Sequence, residues 1–254
     1  MTSMDTIPKF AGFFNESEFV RKLVIAATPI YGKHMKESLD ENFSIPLESI
    51  GTEKEKHIKS IMDVVGTLSS YFDDLENVLK YLRVDKTKIS ALYGNSLDAE
   101  EYYKYHYDNF AVRLMTSIDI CGKIGIAIYK LKIDERSANG YSFAKSSLIK
   151  DTEQANKIFE LSDFLESFAQ HRHSKIHQGK SIDNRFDKIV FWESIGKNIG
   201  DPTLNDPVLD KYNRGEILEA VRGIEEVISQ TAILVIAFLD SMESKLDEIL
   251  MINA

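Results

Sequence analysis

Apolar residues recur three and four positions apart along most of the chain, and the strict alternation that marks strands is almost absent. The first helix is expected from Asn15, with Glu18 at the capping-box position and Phe14 stapled to Phe19, and Pro29 and Gly32 should kink or end it. Residues 39–51, with Pro46 and Gly51, read as a loop. A second helix opens on the capping box Thr52-Glu-Lys-Glu55 and runs to about Leu82 along an unbroken seam of Ile61, Val65, Leu68, Phe72, Leu75, Leu79 and Leu82. Asp85 to Ser96 reads as a turn region.

A third helix is expected from near Asp98 to Leu131. One face carries Tyr103, Tyr107, Phe110, Leu114, Ile118, Cys121, Gly125 and Ile128; another carries Val112, Met115, Gly122 and Ile126. Arg136 to Gly140 is a turn, followed by a short amphipathic piece through Leu148. A further helix should begin at Asp151, with Gln154 in a capping box, and end at Gly179. Phe186 to Ile195, bearing Trp192, reads as a short helix, and Gly200 to Asn205 with Pro202 and Pro207 as a loop. The last helix is placed from Asn213, boxed by Glu216, almost to the end of the chain, along Ile217, Val221, Ile224, Ile228, Val235, Phe238 and Met242, with Thr231 interrupting the seam. The pattern therefore predicts an all-α bundle. The division is set at residue 96: residues 1–96 are an N-terminal extension or further bundle helices, and residues 97–254 the main bundle. Seams on both long flanking helices leave apolar surface for a dimer.

The helix from Asp151 ends in Phe168-Ala-Gln-His-Arg-His-Ser-Lys-Ile-His177. At about 100° per residue, Leu161, Leu165, Phe168 and Ile176 form one stripe, and Arg172 falls within it. His173 and His177, at i and i+4, lie side by side at the edge of that stripe. A guanidinium that stays charged and two imidazoles that titrate near neutrality can hold a phosphate and move protons.

Arg172-x4-His177, with a polar residue directly after the Arg, resembles the signature of HEPN domains. That resemblance implies a helical, usually dimeric fold and, for many members, metal-independent RNA cleavage in toxin and phage-defence systems. It further implies that two copies of the motif meet across a dimer axis in one composite cleft, with RNA as substrate and an antitoxin or defence-system protein as a partner. Under it, His177 transfers protons, Arg172 contacts the phosphate or transition state, and His173 positions the phosphate or shares the proton work. His173 stands where the family often has Asn, and its ring N–H can donate in place of the amide. Gly179 stands where some members carry the tyrosine that an inactivating partner modifies, so that regulation is not expected.

Charge refines this picture. The formal net charge of −9 over 254 residues excludes a protein that grips nucleic acid by bulk electrostatics. Yet Arg172, Lys175, Lys180, Arg185 and Lys188 face only Asp183 and Asp187 over the stretch that begins at the motif. Lys175, Lys180 and Arg185 are candidate RNA contacts, and the same run also suits a solvated helix end. Asp119 falls among Val112, Met115 and Ile126, where an unpaired carboxylate is costly. It either pairs with Arg172 or Arg113, which makes Asp119 and Arg113 supporting residues, or meets solvent where the helix surfaces.

Other chemistry is thin. Cys121 is the one cysteine, which excludes an internal disulfide and a thiolate metal cluster within one chain. His171, His173 and His177 make an unpromising zinc set, because His171 points about 160° from His173 on a helix, and no cofactor or metal is expected. His34, His57 and His106 read as packing or surface residues. Tyr102, Tyr103, Tyr105 and Tyr107 suggest base stacking, although Tyr103 and Tyr107 fall on the core face. The chain starts Met-Thr-Ser-Met-Asp-Thr-Ile-Pro with no basic segment leading into an apolar run, and its most apolar run, Ala232 to Leu239, is too short to span a bilayer. A cytoplasmic protein that makes no membrane contact is expected. The leading function is a metal-independent endoribonuclease; the alternative is a non-catalytic HEPN-like dimerisation or interaction protein.

Overall fold

A computed structural model describes residues 10–40, 51–94, 99–170 and 207–251. Every regular element among them is helical. The expected helix at Phe186 to Ile195, the loop at 200–205 and the Gly179 cap lie outside the described residues, as do most of the loop at 39–51 and the start of the third helix at Asp98.

A 3₁₀ turn at Phe10–Glu16 leads into α1, Glu18–Asp40. Ser17, rather than Asn15, caps α1: its hydroxyl oxygen accepts from the Val20 N–H at 3.2 Å. Phe14 and Phe19 are both buried beside that cap. Pro29 does not end the helix, which continues eleven residues beyond it. The proline sits on the exposed side, with Thr28, Gly32 and Lys33, where water can serve the carbonyl that loses its N–H partner.

α2, Glu53–Leu82, opens on the expected capping box: the Thr52 N–H donates to Glu55 Oε2 at 2.7 Å and the Glu55 N–H to Thr52 Oγ1 at 3.2 Å. Its seam from Ile61 to Leu82 is buried without exception. That seam is consumed by the chain's own core, as is the Val221 to Met242 stripe, so neither is left over for a dimer. The stretch after Asp85 is a helix, not a turn: α3, Lys86–Tyr93, is capped by Asp85, which accepts from the Thr87 N–H at 2.9 Å, and Gly94 closes it at φ 60°. Eight residues are too few for a periodic pattern to declare itself.

α4 spans Ala99–Tyr129 and α5 Gly140–Ala144, the latter boxed by Asn139 and Ser142. α6 spans Glu153–Phe164, α7 Pro207–Asp240 and α8 Glu243–Met251. α7 starts six residues ahead of Asn213, with Pro207 in the first position, where its missing N–H is harmless. A turn at Ser241 and Met242 splits the C-terminal stretch into α7 and α8. Buried Thr231 sits inside the α7 stripe without interrupting the helix.

The chain forms two compact units that do not follow a boundary at residue 96. The first comprises residues 1–73, 116–164 and 231–254, so α1 and most of α2 share a unit with the later helices. In it, Lys22 on α1 pairs with Asp247 at 2.7 Å and Glu243 at 2.6 Å. Phe14 meets Phe72 edge-on at 5.2 Å, Phe143 meets Phe238 at 5.9 Å, and the Lys54 ammonium donates to the Leu250 carbonyl at 2.6 Å. Here α4 needs its glycines: a Cβ on Gly122 would lie 2.3 Å from the Asn139 carbonyl carbon, and one on Gly125 2.4 Å from the Phe143 ring.

The second unit comprises residues 74–115 and 165–230. Leu75, Leu79, Leu82, Ile89, Phe110, Leu114, Val221, Ile224 and Ile228 are buried in it. The Tyr103 hydroxyl donates to the Val84 carbonyl at 2.6 Å, Arg214 pairs with Asp85 at 2.8 Å, and Arg83 pairs with Glu225. No helix among the described residues is long and apolar enough to cross a membrane.

Candidate functional site

Arg172, His173, His177, Lys175, Lys180 and Arg185 lie outside the described residues, as does His171. The chain can be followed to Gln170. α6 buries Ala155, Ile158 and Leu161 on one side. Gln154 does not box its N-terminus; its amide donates to the Ser241 carbonyl instead. A turn at Leu165 then interrupts the helix, and the N–H groups of Phe168 and Ala169 both reach the Leu165 carbonyl at 3.0 Å. The single helix expected from Asp151 to Gly179 is therefore broken, and an angular register drawn from Leu161 does not carry across the break to Arg172. Leu165 is fully buried and the half-buried Phe168 ring stands edge-on to Phe110 at 5.7 Å.

The two supporting residues are described. Arg113 pairs with Asp74, which answers its charge on the surface of the second unit. Asp119 is half-buried, so its carboxylate is less deeply desolvated than the apolar neighbours in sequence suggest. Two residues on, the Cys121 thiol is pushed up, first by complete burial and second by the Asp119 charge. That thiol is inert packing.

The three remaining histidines all serve packing. His34 is fully buried with Nε2 3.6 Å from Glu55 Oε2, and neither ring nitrogen has a hydrogen-bond partner among the described residues. Gly51, at φ 103°, makes room for it: a Cβ there would sit 2.3 Å from His34 Cε1. His57 Nε2 lies 2.8 Å from the Ala127 carbonyl, and burial lowers its pKa. Burial also lowers that of His106, which is set among tyrosines.

This tyrosine cluster belongs to the second unit and is the most distinctive surface chemistry among the described residues. His106 stacks on Tyr81 at 4.6 Å, with Tyr102 at 4.4 Å and Tyr105 at 5.3 Å around it, and Tyr93 lies 6.3 Å from Tyr102. Tyr103 and Tyr107 are core residues, and Tyr102 joins them in burial. Tyr81, Tyr93 and Tyr105 remain exposed. Of the tyrosines that suggested stacking in the sequence only Tyr105 is open, while Tyr81 and Tyr93 come from other helices. The signal that could have found them is Lys80-Tyr-Leu-Arg-Val-Asp-Lys-Thr-Lys88, where cations and an aromatic residue interleave.

In the first unit, Glu153, Asp240, Glu243 and Asp247 line an open cleft with Lys157. Its carboxylates repel phosphate. No protein-family model, curated protein or solved structure matches the chain.

Proposed function

We propose that the protein is a metal-independent endoribonuclease whose active site is assembled from two copies of Arg172, His173 and His177 at a homodimer interface, in a toxin or phage-defence setting. The observation that carries this reading is the Arg172-x4-His177 sequence with its polar second position and the basic run behind it. In the reaction a histidine takes the proton of a ribose 2′-hydroxyl, and the 2′-oxygen attacks the adjacent phosphorus. The bond from phosphorus to the 5′-oxygen breaks, and a second histidine protonates that oxygen. Arg172 offsets the charge that gathers on the phosphorane. The products are a 2′,3′-cyclic phosphate and a 5′-hydroxyl. A twofold axis brings a residue near its own copy, so one Arg and two His per chain supply the whole set.

The alternative is a non-catalytic interaction protein, and one observation favours it. Val24, Met35 and Leu39 are exposed on α1 within about 60° of one another at helical spacing, and such a face suits a protein partner or a second copy.

Cleavage of a mixed RNA pool in EDTA by wild type, Arg172→Ala and His177→Ala, each checked for folding and for mass by sedimentation, decides between the two. The ribonuclease reading expects cleavage by wild type alone and cyclic-phosphate ends. Wild type that leaves RNA intact from about pH 6 to pH 8, the range over which histidine changes charge, gives the interaction reading its place.

A further inference from the structure

We propose that the tyrosine cluster on the second unit is a stacking surface for the bases of single-stranded RNA. Its rings are continuous: Tyr93 adjoins Tyr102, Tyr102 adjoins His106, and His106 is flanked by Tyr81 and Tyr105. Yet the outer rings are not core. Tyr105 is 63% exposed and Tyr81 and Tyr93 are each 45% exposed, against 8% for Tyr102 beneath them.

The surface is held in place before anything binds. The Tyr103 hydroxyl ties α4 to the Val84 carbonyl, Asp85 caps α3 and pairs with Arg214, and Arg83 pairs with Glu225. Aromatic rings fixed in this way lose little freedom on stacking. His106, kept neutral near pH 7 by burial, adds a further π face.

Charge points to a nucleic acid strand. Residues 80–88 carry Lys80, Arg83, Lys86 and Lys88 against Asp85 alone, and Lys104 precedes Tyr105. Glu225 and Arg214 answer Arg83 and Asp85. Lys80 and Lys88 are exposed, and the Lys80 ammonium bonds Asn77, a neutral group. Glu101 is the exposed acid nearest in sequence to the rings. A cationic track with open aromatic faces is what unpaired bases on a phosphate backbone require. In a duplex those faces are hidden in the stack. The choice of RNA over DNA rests on the ribonuclease reading; the cluster and the motif share no residue.

The test is fluorescence anisotropy with a fluorescein-labelled, 2′-O-methylated single strand of about 12 nucleotides, a length suited to one strand-binding surface. The methyl groups remove the nucleophile, so binding is read without cleavage. Tyr81→Ala/Tyr105→Ala should bind at least about tenfold more weakly, as loss of stacked bases predicts, while Tyr81→Phe/Tyr105→Phe stays near wild type and all three treat the duplex form alike. Equal affinity of wild type and the alanine pair, or no binding by wild type, overturns the proposal and leaves a protein as the occupant of these rings. Cleavage of unmodified RNA is scored separately. Ring-dependent binding without cleavage sinks the nuclease reading and keeps the surface, whereas cleavage with ring-independent binding does the reverse.

Discussion

The Asp240 carboxylate at the end of α7 holds the start of α1: one oxygen accepts from the Ser17 hydroxyl at 2.6 Å and from the Phe19 N–H at 3.1 Å. A carboxylate at a helix N-terminus meets both unpaired N–H groups and the positive end of the dipole. Asp240→Ala should cost about 1.5–3 kcal/mol, the range for a hydrogen bond to a charged group, and Ser17→Ala about 1 kcal/mol, as for a lost cap. Because the two share one bond, urea unfolding of the double variant should show a smaller loss than the sum. Additivity within about 0.5 kcal/mol, the behaviour of independent sites, would mean that the pair does not act as one.

Gly122 and Gly66 are both helical, and their replacement by alanine should have opposite signs. The Gly122 Cβ would collide with backbone of Asn139 and Gly140, which cannot swing aside as a side chain can. Gly122→Ala should therefore destabilise by about 1–3 kcal/mol, as overpacking does. Nothing lies within 4 Å of a Cβ at Gly66, so Gly66→Ala should stabilise α2 by about 0.5–1 kcal/mol through helix propensity. Thermal unfolding of the two variants checks both signs at once.

What the sequence made legible was local and periodic. The α2 seam and its capping box, the core face of α4 and the all-helical class depend on neighbours three or four residues apart, and each stands as expected. Interactions distant in the chain were not legible. No pattern near Ser17 announces a partner at Asp240, and Pro29 reads as a helix end until its solvent-facing position is known. The break at Leu165 falls inside an apolar stripe that reads as continuous. At the candidate site, residue types and spacing could be read from the sequence, but Tyr81, Tyr93 and Tyr105 became one surface only through packing of three helices.

Glu55 should make stability depend on acid. The Thr52 backbone N–H holds its carboxylate well below the usual 4.5, at about 2, with the Thr52 hydroxyl and Lys33 adding to the effect. The folded state binds the proton less readily than the unfolded one, so this contribution is complete above about pH 4.5 and is lost as pH falls toward 2. Glu55→Gln should lower the urea midpoint at pH 7, and the gap to wild type should narrow across that acid window. A gap of constant size would show that packing of the side chain, rather than its charge, is responsible.

Cys121 offers a probe of whether Asp119 acts at the motif or merely in the helix. Its thiol is buried and pushed up mainly by that burial, so a disulfide reagent at neutral pH should label it only as fast as the helix opens, and quickly once the chain is denatured. Asp119→Asn removes the smaller of the two causes and leaves the larger, so the native thiol should remain protected. An Asp119→Asn protein that stays protected yet cleaves RNA more slowly would place Asp119 in support of Arg172. If labelling instead quickens in step with the loss of cleavage, Asp119 holds the helix and its effect on activity is structural.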